Sequence, residues 1–127
     1  MELQPGKRLE LLDAEERTVG QITLEERQGD LLLGSFAPGP GFPAVEPLFR
    51  QFEEAVNAQA LGAADRCEAA IGALGLSLRE AGGAKRVEVM DVQIWSDGAM
   101  TCRLTSAAAV TLNGDRPSAT SAKERLA

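Results

Sequence analysis

Histidine and tyrosine are absent from this 127-residue chain. Without histidine there is no Ser-His-Asp or Cys-His nucleophilic arrangement, no imidazole metal ligand, and none of the commonest general base near neutral pH. Catalysis would fall to carboxylates, lysine or backbone groups alone, so the chain reads as a non-enzyme with no catalytic residue assigned. Cysteine is nearly as scarce. Cys67 and Cys102 are separated by 34 residues and neither belongs to a CxxC pair, which denies zinc-ribbon and thioredoxin-type sites their spacing. Both cysteines are expected to be reduced and packed as small hydrophobes, and no metal or cofactor is expected.

Clustered basic charge is missing too. Thirteen bases are scattered along the chain against nineteen acids, for a formal charge of −6, whereas phosphate binding needs a basic face; nucleic acid is not an expected partner. No apolar run approaches the ~20 residues of a membrane span, and no charged n-region with an apolar h-region opens the sequence. A cytoplasmic location without membrane contact is therefore expected. Only three of the bases are lysine and alanine is abundant, the composition of a GC-rich bacterial genome.

What the chain does contain is the balance of one soluble domain, 44% hydrophobic and 25% charged. A chain of this length buries roughly two thirds of its unfolded surface without needing a metal or disulfide. Alternating residues predict strands over 8–13, 18–26 and 30–36, joined by a polar loop at 14–17 and a turn at Gly29. A three-residue turn there sets Leu24 against Leu32, Ile22 against Gly34 and Gly20 against Phe36, and a four-residue first loop adds Leu9 opposite Ile22 and Leu11 opposite Gly20. Phe36 would then cover the bare backbone of Gly20. The Pro/Gly-rich segment 37–43 reads as a connector, since prolines lack the N–H groups that a phosphate loop aims at an anion.

Two helices follow. The first is expected to open at Pro47 and to carry Leu48, Phe49, Phe52, Val56 and Ala60 on its core face, ending at Gly62. The second runs over 64–74 with Cys67, Ala70, Ile71 and Leu74 inward and Gly75 as its left-handed cap. The adjacent acids Glu53 and Glu54 point about 100° apart and so do not converge on one ion; a solvated face is the expectation. Strands at 76–80, 85–95 and 99–104 complete the order β-β-β-α-α-β-β-β. The fold class is α+β: two antiparallel three-stranded meanders with two helices on one face. The domain is expected to span 1–105, with 106–127 a small-residue, flexible tail.

The last hairpin decides where the only tryptophan points. A three-residue loop at Ser96, Asp97 and Gly98 sets Ile94 against Met100, Val92 against Cys102 and Met90 against Leu104, making one face wholly apolar. The other face then pairs Asp91 with Arg103, Gln93 with Thr101 and Trp95 with Ala99. In the first meander the same bookkeeping sends Leu12, Val19, Leu31 and Leu33 to that outer face. An apolar outer face carrying a tryptophan is the usual mark of an interface. The candidate interaction surface is thus Trp95, Asp91, Gln93, Arg103, Leu31, Leu33, Leu12 and Val19. The function expected is a protein-interaction module acting as a homodimer. Its alternatives are a chaperone-like or immunity-type binder of a basic client, and a small-ligand or enzymatic domain working through carboxylates and Arg.

Overall fold

The computed structural model describes residues 3–105. Six strands and two helices follow one another in the expected order: β1 (Arg8–Leu12), β2 (Thr18–Gln28), β3 (Leu31–Pro38), α1 (Phe42–Asn57), α2 (Leu61–Gly72), β4 (Ser77–Glu80), β5 (Arg86–Ile94) and β6 (Ala99–Leu104). All ladders are antiparallel, so the fold is α+β on an antiparallel sheet. The expected layout of two separate meanders with an apolar outer face is corrected by two further ladders. Leu9 to Leu12 pair with Glu80 to Ser77, and Leu31 to Ser35 pair with Arg103 to Ala99, which closes the sheet into a barrel in the order β1-β2-β3-β6-β5-β4. The tail expected at 106–127 lies outside the described residues. No helix among them is long and apolar enough to cross a membrane.

Closure gives the sheet an inside. Leu9, Leu11, Ile22, Leu24, Leu32, Leu78, Val87, Val89, Val92, Ile94, Met100, Cys102 and Leu104 are all buried in one cluster. Each fully buried aliphatic side chain contributes roughly 1.5–3 kcal/mol. The lumen has no room for a water-sized molecule, as expected where few strands enclose only their own side chains. Burial pushes the Cys102 thiol up to about 12, in keeping with an inert core cysteine. By residue parity Val87 and Val89 share the outward face of Trp95, yet they lie inward, at 6% and 8% exposure.

That correction comes from a bulge. Ile94 faces Met100 and Trp95 N–H donates to Ala99 C=O at 2.9 Å, as the three-residue turn requires, with Gly98 left-handed at φ 91°. Between Met90 and Gln93, however, the ladder slips by one residue. Asp91 takes a left-handed conformation there (φ 53°), and one extra residue exchanges the faces of everything before it. Val89 therefore faces Leu104, and Met90 faces Arg103 at 43% exposure.

The β2–β3 register also differs. Gly29 and Asp30 form a two-residue turn between Gln28 and Leu31, and a bulge beside Glu25 brings Leu24 opposite Gly34 and Ile22 opposite Phe36. The displacement from the expected pairing is two residues, so inward and outward faces survive. Phe36 does cover Gly20: a Cβ on that glycine would lie 2.3 Å from the Phe36 ring. The β1–β2 pairing is as expected at Leu9 and Leu11 and slips beyond them, setting Leu12 against Thr18.

The loop after β1 is closed by Asp13, a buried acid. Its carboxylate accepts N–H bonds from Glu15 and Arg17 at 2.9 Å and from Arg17 Nε at 2.8 Å. Burial alone would raise the Asp13 carboxyl, but the Arg17 backbone bond, the Arg17 guanidinium and the Glu15 N–H outweigh it and hold the group below its ordinary value. Arg86 braces the same corner, donating to the Asp13 carbonyl at 3.1 Å and to Ser77 Oγ at 2.9 Å.

Candidate functional site

Strands β1, β3 and β5 end, and β2, β4 and β6 begin, at one mouth of the barrel, and the helical pair connects β3 to β4 there. Val45 and Phe49 of α1 and Ile71 of α2 join the lumen cluster, so the helices cap this mouth. Helix α1 begins at Phe42, five residues before the expected Pro47. Pro43 occupies the first turn, where a missing N–H has no intrahelical partner to lose, and Pro47 lies within the helix. The added turn brings Phe42 onto the same helix as Phe49 and Phe52.

A groove of about 640 Å³ runs between α1 and the opposite rim. One wall is a helical stripe, Phe42, Glu46, Phe49, Arg50, Glu53 and Asn57, at three- and four-residue spacing. The other is the end of β3, with Phe36 and Pro38, and the β5–β6 turn from Ile94 to Gly98. The rings of Phe36, Phe42, Phe49 and Trp95 line the groove, and Phe52 packs against Trp95. Phe36 and Phe42 have centroids 5.0 Å apart, Phe42 and Phe49 6.4 Å, and Phe52 and Trp95 5.9 Å. These five residues are every aromatic in the chain, and all but Phe49 keep part of their surface exposed.

The turn is fixed to both walls. Ser96 donates its N–H to Glu53 Oε1 and its hydroxyl to Oε2, each at 2.8 Å. Phe36 N–H donates to Gly98 C=O at 2.8 Å, and Asp97 accepts the Ala99 N–H at 2.9 Å. Four carboxylates, Glu46, Glu53, Glu54 and Asp97, line the groove against one base, Arg50, which pairs with Glu46 at 3.2 Å. Glu53 and Glu54, expected on a solvated face, both line the groove.

The eight candidate residues of the sequence do not form one surface. Leu12 and Val19 are fully buried, because the bulge after Leu11 breaks their pairing and this end lies beneath the helices. Leu31 and Leu33 are half-buried on the outside of β3. Asp91 is exposed at its bulge and does not face Arg103, which pairs with Asp30 at 3.1 Å. Gln93 is buried with Nε2 unpartnered. Only Trp95 belongs to the groove, half-buried against Phe52.

Chemically, the groove offers ring faces and carboxylates. Its hydroxyl, Ser96 Oγ, is bonded to the Glu53 carboxylate at 2.8 Å, and among the described residues no three His, Cys, Asp or Glu side chains gather as metal ligands would. What sequence reasoning missed was the helix start. Once α1 begins at Phe42, the spacing 42, 46, 49, 53 marks the wall directly. No protein-family model, curated protein or solved structure matches the chain.

Proposed function

We propose that this protein is a non-catalytic binding module that recognises a protein partner through the groove between α1 and the β5–β6 turn. The observation that carries the reading is that four of the five aromatic residues, Phe36, Phe42, Phe49 and Trp95, line one partly open groove, with Phe52 against Trp95. Aromatic residues are the enriched anchors of protein interfaces, and a patch left uncovered in a chain this small is ordinarily a contact surface. Of the functions open to the chain, a binder of a basic client agrees best with four carboxylates around such rings.

The test is site-specific photocrosslinking in the native host. A crosslinker at Asn57 or Glu54 on the groove is expected to trap a discrete polypeptide that one at Gln21, outside β2, does not. Equal adducts from all three positions, or none from the groove, would overturn the reading.

Homodimerisation is the second reading, favoured by Met90, which is 43% exposed opposite Arg103 on the same outer face as Leu31. Light scattering after gel filtration decides it. A clean monomer at micromolar concentration ends it.

A further inference from the structure

We infer that the occupant of the groove is a cationic amphipathic segment of the partner, with apolar side chains on the aromatic lining and Lys or Arg side chains toward Glu54 and Asp97. This rests on the groove being the binding surface, and adds the chemistry of what fills it.

Charge sets the sign. The lining carries four acids and one base. Arg50 is engaged by Glu46 at 3.2 Å, and Glu53 is held by Ser96, so no lining cation remains to receive an anionic occupant. Glu54 and Asp97 face no cation among the described residues. An acidic segment would bring like charges together, and a cationic one completes the pairing that the groove lacks.

Length sets the kind of ligand. Phe42 lines the groove near the start of α1, and Trp95 lines it beside Phe52, ten residues or about 15 Å further along that helix. Two apolar anchor points that far apart suit side chains repeated along a helix or strand, the helix-in-groove mode of recognition, better than one compact amine. The ring face of Trp95 is itself a favourable seat for a guanidinium or ammonium.

The probe is an 18-residue Leu/Lys peptide that forms an amphipathic helix and lacks tryptophan, titrated into the full chain while Trp95 emission is followed. A Leu/Glu counterpart and a Ser/Lys peptide of equal charge serve as comparisons. The Leu/Lys peptide is expected to shift Trp95 emission at micromolar concentration, at least tenfold below either comparison peptide. Glu54→Gln with Asp97→Asn is expected to weaken binding at least fivefold. Glu25→Gln with Glu26→Gln, which removes the same charge from β2, is expected to change it less than twofold.

Equal binding of the Ser/Lys peptide, tighter binding of Leu/Glu, or equal loss from the β2 pair would each overturn the inference. So would groove crosslinks that land on residues 106–127 of the same chain or on a second copy. If the Leu/Lys peptide fails while groove crosslinks still trap another polypeptide, the binding reading stands and the cationic occupant falls.

Discussion

The barrel lumen and the groove at its mouth divide the chain's large side chains by type. The strands send only Leu, Ile, Val, Met and Cys into the lumen, with Phe49 of α1 joining them at the capped mouth, whereas Phe36, Phe42, Phe49 and Trp95 line the groove and Phe52 packs against Trp95. Six strands enclose less space than the eight that just accommodate side chains, so branched aliphatics fill the interior. The rings are left to the end where helices and turns leave wider gaps. The lesson is that the strand-borne core and the proposed binding groove draw on largely separate residues, with Phe49 common to both, so each is open to alteration with limited effect on the other.

The sharpest way to break that comparison is inside the lumen. Leu78→Ala, at a position 1% exposed, is expected to cost about 2–5 kcal/mol in urea unfolding, with native Trp95 emission unchanged. A shift in that emission would mean that lumen and groove are one unit. Gly20→Val attacks the seam between them, because its side chain would meet the Phe36 ring and the Ala37 carbonyl at 2.6 Å or less. A loss of about 1–3 kcal/mol should come with a changed peptide response.

Asp13 sharpens the comparison from the stability side. Its folded carboxyl titrates below its ordinary value, so its contribution is complete above the unfolded value of about 3.9 and is lost as pH falls through the lower folded one. Asp13→Asn is expected to cost about 1–3 kcal/mol at pH 6. The gap from wild type should narrow below about pH 4, and a gap independent of pH from 6 to 2 would refute the assignment. The smallest expected effect is at the groove: Glu53→Gln should lower global stability by only about 0.5–1.5 kcal/mol while speeding hydrogen exchange at the Ser96 amide.

Much of this architecture was legible in alternation and turn chemistry. The pairs Leu9 with Ile22, Leu11 with Gly20 and Ile94 with Met100 follow from loop length and hydrophobic parity, as does the covering of Gly20 by Phe36. Closure was not legible, because the ladders that join β1 to β4 and β3 to β6 link segments whose turns carry no mutual signal. Bulges were hidden as well: nothing in the residue types at 90–93 announces that Asp91 turns left-handed, yet that one residue exchanges Met90 for Val89 in the lumen. Trp95 was placed correctly off the β5–β6 inner face. What covers it in part is Phe52, which packs against the core as expected and touches Trp95 as well; the part of the groove hidden from the sequence is the early start of α1 at Phe42.

The ladder between β1 and β4 also fixes an order of events. Leu9 meets Glu80, 71 positions along the chain, whereas the β1–β2, β2–β3 and β5–β6 hairpins close over short turns. Non-local pairing must meet its loop-closure entropy before it is rewarded. The hairpins can therefore form early, the β1–β4 ladder waits for the fourth strand, and closure through β3–β6 waits for the sixth. During synthesis the first three strands leave the ribosome with no partner for the outer edge of β1, and the barrel shuts only when β6, ending at Leu104, 95 positions beyond Leu9, has been delivered. Folding on the slower scale of all-β barrels, milliseconds to seconds, is the kinetic signature of that closure.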